Sequence, residues 1–153
     1  MRKLTMWVII VMTAVGGVAC RLVVGANGWA GQPYSVTIAP HVTGCGQSPS
    51  GSAVMMLDHD VPCTIQPSVL HGGDEVLASS GRTLVTNYKL TGADLQDGDA
   101  TWVTSANFLS RTYNCGGTGP ASQITLSVQA ASSANRADEA GAYSASIVLT
   151  ASW

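Results

Sequence analysis

The final stretch of the sequence, Ala140-Gly-Ala-Tyr-Ser-Ala-Ser-Ile-Val-Leu-Thr-Ala-Ser-Trp153, decides the fold class. Tyr143, Ala145, Ile147, Leu149, Ala151 and Trp153 recur at every second position. Successive side chains of a strand point to opposite faces, so these six share one face and can be buried together. A half-buried strand is predicted.

Working outward, the same period returns. Ile124, Leu126 and Val128 align within Gln123–Ala130, and Leu84, Tyr88 and Leu90 align within Arg82–Leu90, with Thr86 between them. Tyr34, Val36 and Ile38 share a face of Tyr34–Ala39. Residues 53–57 read as a strand or a core cover. Val61, Cys63 and Ile65 share a face, but Pro62 and Pro67 remove donors and push that segment toward a sheet edge or an irregular section. Residues 101–104 read as a short strand and residues 107–113 as irregular. Turn formers separate these runs at 41–51, 71–74, 94–99 and 114–120. The one helix candidate, residues 130–140, lacks a large apolar face and reads as an inter-strand loop. Short strands without a long amphipathic helix predict an all-β, antiparallel sandwich.

At the other end, Arg2 and Lys3 precede an uncharged apolar run, Met6–Ala19, the pattern of an export signal. The run falls short of the roughly 20 apolar residues that span a bilayer. Small residues permit cleavage after Ala19 or after Ala30. Cys20 adds a lipidation reading, although Gly17 stands where lipoprotein sites carry a larger aliphatic residue. The expected organisation is a signal peptide over residues 1–30, an N-terminal extension or donor strand over 31–44, and a sandwich domain over 45–153. At 153 residues the chain holds one ordinary domain.

The net charge of −2 disfavours a nucleic-acid binder. Removing residues 1–30 takes away Arg2, Lys3 and Arg21 but no acidic residue, leaving four basic groups against nine acidic ones. The remaining cysteines are Cys45, Cys63 and Cys115, so at most one internal disulfide forms. The preferred pairing is Cys45 with Cys63, which closes a short loop and which a link between Cys63 and Cys115 would refute; Cys115 is unassigned.

Catalytic and cofactor signatures are weak, and neither catalytic residues, a cofactor nor a metal is assigned. No Gly-x-Ser-x-Gly elbow is present. His41, Cys45, His59 and Cys63 carry zinc-binding donor types, but a disulfide consumes the thiols. Asp94, Asp97 and Asp99 lack the spacing of a calcium loop and read as a solvated turn. Gly116-Gly-Thr-Gly119 lacks the Lys-Ser/Thr pair of a phosphate loop. Trp102, Phe108 and Tyr113 form a ligand platform only if they are exposed.

The stretch Gly-Ala-Tyr143 followed by alternating aliphatic residues and the aromatic Trp153 resembles the C-terminal strand of bacterial fimbrial subunits and spore coat protein U type domains. Residues 31–45 resemble their N-terminal extension leading into a first core cysteine, Cys63 resembles a later strand cysteine, and Thr86–Leu90 resembles their central Tyr-containing strand. Cys45 and Cys63 are closer together than is typical of such domains. The resemblance implies an incomplete immunoglobulin-like sandwich completed by donor-strand exchange. Tyr34, Val36 and Ile38 would be the groove-filling set, and Tyr143, Ile147, Leu149 and Trp153 would line or border the receiving sheet. It further implies a periplasmic chaperone and outer-membrane usher as partners, like or related subunits joined by strand exchange, transit through the periplasm, and a place in a fimbrium or at the cell surface. The competing reading is a monomeric or membrane-anchored secreted module that binds a glycan or host surface receptor.

Overall fold

A computed structural model of the chain describes residues 11–13, 20–24, 33–42, 48–59, 61–73, 75–80, 82–116, 119–131 and 141–152. Its strands, in chain order, are β1 (Val11–Thr13), β2 (Cys20–Val24), β3 (Pro33–Ile38), β4 (His41–Val42), β5 (Ser50–His59), β6 (Cys63–Ser68), β7 (Leu77–Ser79), β8 (Arg82–Leu84), β9 (Thr86–Gly92) and β10 (Val103–Thr104). After one short helix, α1 (Ser105–Leu109), come β11 (Tyr113–Cys115), β12 (Gly119–Ala130), β13 (Gly141–Ala142) and β14 (Ala145–Ser152).

Two five-stranded sheets form a sandwich, one in the order β1-β3-β14-β6-β11 and the other in the order β10-β9-β12-β5-β2. Pairing within the sheets is antiparallel except where β1 joins β3 and β2 joins β5, both parallel. The alternation read from the sequence becomes the filling between the sheets. Val36, Ile65, Ile147 and Leu149 from one sheet and Met55, Leu57, Leu90 and Leu126 from the other belong to a single buried cluster. Burial of each such aliphatic side chain contributes about 1.5–3 kcal/mol. Along the C-terminal segment the predicted face is buried throughout the described part, from Tyr143 through the β14 residues to Ala151; Trp153 lies outside the described residues.

Three local features depart from the sequence reading. The segment with two prolines is an interior strand, β6, lying between β14 and β11. Pro67 is tolerated there because β11 pairs with Cys63 to Ile65, so that among the described residues no strand pairs with β6 on that side at Pro67. The strand predicted over 82–90 is broken at the exposed Val85. Thr86 is fully buried, its hydroxyl donating to Leu84 O at 2.7 Å and accepting from Leu77 N at 2.8 Å. The third departure is α1, in a segment read as irregular. Thr104 caps it by accepting from Asn107 N, and Phe108 turns into the core to stack on Tyr88 with ring centroids 4.9 Å apart. The helix candidate at 130–140 lies, after Ala131, outside the described residues. Among the described residues no helix is long and apolar enough to cross a membrane.

Candidate functional site

The seam between the N- and C-terminal segments carries the residues singled out above. β3 runs antiparallel to β14, with Tyr34 opposite Leu149, Val36 opposite Ile147 and Ile38 opposite Ala145. The contact continues past the strands. Tyr143 N donates to Pro40 O at 3.0 Å, and β4 then pairs with β13 through His41 opposite Ala142. Residues 33–42 thus lie along residues 141–150 as one ribbon. Val36 and Ile38 point inward and are buried, whereas Thr37 and Ser146 face the other side and share a 2.7 Å hydrogen bond between their hydroxyls.

Ile38 has a seat on the opposite sheet. A Cβ placed on Gly51 of β5 would lie 2.6 Å from Ile38 Cγ2, so the missing side chain at Gly51 is the space that Ile38 fills. Nothing in the sequence around Gly51 except the glycine itself, in a stretch rich in turn formers, marks this role. Tyr143, Ile147 and Leu149 are each essentially without solvent exposure beneath this seam. β1 and β2, which lie in the segment read as an export signal, occupy the outer margins of β3 and β5.

A second concentration of chemistry-bearing groups lies toward the other edge, around β6 and β11. Cys63 and Cys115 are directly opposite each other in the antiparallel register and are both buried free thiols. The expected partner Cys45 lies outside the described residues, as does Asp60; the thiol set against Cys63 is that of Cys115. The side chain of Cys20 is likewise outside the description, although its backbone belongs to β2. His59, at the end of β5, donates from Nδ1 to Val61 O at 3.0 Å, which turns Nε2 toward Asp94 Oδ2 at 3.5 Å. The hydrogen bond from the Cys115 thiol draws the Cys63 thiol below its ordinary pKa. Burial opposes this, nearby His59 assists it, and Asp94 opposes it. The same hydrogen bond, followed by burial, pushes Cys115 up.

The acidic turn is structural in each of its three carboxylates. Asp94 faces His59. Asp97 accepts from Asn114 N at 2.7 Å and from Asn114 Nδ2 at 2.8 Å. Asp99 is buried and accepts from Leu90 N at 2.8 Å, Tyr113 Oη at 2.7 Å and Arg111 Nη1 at 2.5 Å. The sequence reading placed all three in a solvated turn, and Asp99 corrects it. A carboxylate without solvent contact requires donors, and here a strand amide, a tyrosine and an arginine converge on it. Of the aromatic trio, Phe108 and Tyr113 are core residues, and only Trp102 is exposed, at 39%. No group of three or more His, Cys, Asp or Glu side chains arranged to hold a metal ion occurs among the described residues.

No family model, curated protein or solved structure matches this chain.

Proposed function

We propose that this protein is a noncatalytic structural subunit of a surface fimbria or coat-like assembly, in which the β3 segment of one copy completes the sandwich of the next. The observation that carries this reading is the seam. An N-terminal ribbon far away in sequence lies along residues 141–150 and buries Val36 and Ile38, with Ile38 seated over Gly51. Among the described residues, β3 has β14 as its sheet neighbour on one side and the short parallel contact with β1 on the other.

Export processing adds a physical reason for exchange. Loss of residues 1–30 removes β1 and β2 together and leaves β3 and β5 as sheet edges. These edges lie on the same side of the sandwich, since β3 packs across from β5 and β2 approaches β14. Exposed edge amides and carbonyls beside an apolar seam are satisfied by an added strand through both hydrogen bonding and side-chain burial. A pairing made within one chain can be made between chains with the same contacts, as in domain swapping. On this reading a periplasmic chaperone holds the seam during transit, and an outer-membrane usher delivers the subunit to its neighbours.

The test is size separation of the processed protein purified from its native compartment without reduction. A ladder of multimers is expected, lost in Ile38→Asp and capped by a synthetic peptide spanning residues 31–43. A protein that stays monomeric at every concentration, and whose melting temperature simply falls in Ile38→Asp, assigns β3 to its own sandwich. The monomeric secreted binding module then becomes the better description.

A further inference from the structure

We propose that Cys63 and Cys115 are a redox pair that closes to a cross-strand disulfide, taking its oxidising equivalents from a small-molecule or protein disulfide that enters the cleft above them. The inference stands independently of strand exchange, because it concerns the edge of the sheet away from β3.

Three observations converge on the pair. The two residues are register partners on neighbouring antiparallel strands, a placement that brings the side chains together on one face. They are 4% and 3% exposed, yet both line an open cleft of about 330 Å³ whose walls include Pro62, Gln96, Asn114 and Ser152. A reagent that enters this cleft meets both residues. The hydrogen bond between the two thiols lowers the pKa of Cys63 and, together with burial, raises that of Cys115.

Closure is a two-step thiol–disulfide exchange. The Cys63 thiolate attacks one sulfur of the incoming disulfide, forming a mixed disulfide and releasing one thiolate, which takes up the proton lost from Cys63. Cys115 then loses its proton and attacks the Cys63 sulfur, the mixed disulfide breaks, and the second thiolate leaves with that proton. Two protein thiols are oxidised to one disulfide, and the reagent disulfide is reduced to two thiols.

The consequence falls on a short edge strand. β11 has three residues and one strand partner. Its other side is tied to the acidic turn by Gln96 N donating to Asn114 O at 2.9 Å and Gly116 N donating to Asp94 O at 3.0 Å. A bond between Cys63 and Cys115 fastens β6, β11 and that turn into one unit and blocks slippage of a short edge strand.

The experiment equilibrates the full chain in glutathione buffers spanning reduced to oxidised, quenches by alkylation, and maps peptides without reduction. Cleavage after Met56, Arg82 and Arg111 puts Cys45, Cys63 and Cys115 on three different peptides. The expected result is a linked pair of Cys63 and Cys115 peptides and an intact mass lower by two hydrogens. In the single variants the remaining thiol should accumulate a glutathione adduct that has no partner to resolve it, at Cys63 in Cys115→Ala and at Cys115 in Cys63→Ala. Two alkylated thiols at every poise, or a Cys45 to Cys63 link in place of the proposed one, overturns the inference. The wild-type mapping needs no variant to fold.

Discussion

Replacing Asp99 by Ala removes the group on which three donors converge. Leu90 N and Tyr113 Oη are buried and have no route to water, so each loses a partner at about 1–3 kcal/mol. Arg111 is 42% exposed and can turn outward, so its share is that of a surface pair, about 0–1 kcal/mol. The sum is about 4 kcal/mol, in line with the roughly 3–5 kcal/mol seen when one partner of a buried pair is deleted. Against a typical total stability of about 5–15 kcal/mol this is a large fraction. With a urea dependence of about 2 kcal/mol per molar, the unfolding midpoint should fall by about 2 M. Asp99→Asn keeps one acceptor and should lose about half as much. The assay is urea unfolding followed by intrinsic fluorescence and by circular dichroism, with coincidence of the two transitions checked. A loss below about 1 kcal/mol for Asp99→Ala, at unchanged slope, would refute the view that this carboxylate organises β9, β11 and the acidic turn.

The Tyr113 hydroxyl is driven well above its ordinary pKa, first by burial and then by its hydrogen bond to Asp99 and the Asp99 charge, with Arg111 opposing. Because its folded pKa is raised, its contribution is complete below about pH 10, where the unfolded tyrosine is also protonated, and falls by about 1.4 kcal/mol per pH unit above that. Stability measured from pH 9 to 12 should fall less steeply in Tyr113→Phe than in the wild type, by about 1.4 kcal/mol per pH unit above pH 10. Leu126→Ala, at a fully buried position in the middle of β12, should cost about 2–5 kcal/mol in chemical unfolding, and a loss near zero would contradict the single shared core. Gly51→Ala should press on Ile38 and cost about 1–3 kcal/mol, with faster amide exchange concentrated in β3 and β14; exchange rising evenly over the chain would argue against the seat.

Much of the fold was legible because a strand with one buried face writes its period into a few consecutive residues. The faces of β3, β12 and β14 follow from Val36 and Ile38, from Ile124, Leu126 and Val128, and from Tyr143 to Ala151. The short helix α1 was not legible, since five residues hold too few periods to register and Phe108 alone anchors it to the core. Asp99 was misread for a related reason: in sequence it looks like Asp94 and Asp97, and only the convergence of Leu90, Arg111 and Tyr113 distinguishes it.

The sequence by itself determined that the chain is all-β, which side chains in the strongest strands face inward, and that cysteines outside residues 1–30 are odd in number. Each of these is a property of a short window or a count. The tertiary structure alone decided which strands are neighbours: β3 against β14, Ile38 over Gly51, and Cys63 opposite Cys115 across 52 positions of chain. Strand partnership is non-local, fixed by how backbone hydrogen bonds and side-chain volumes fit across the two sheets together, and no single stretch contains that information.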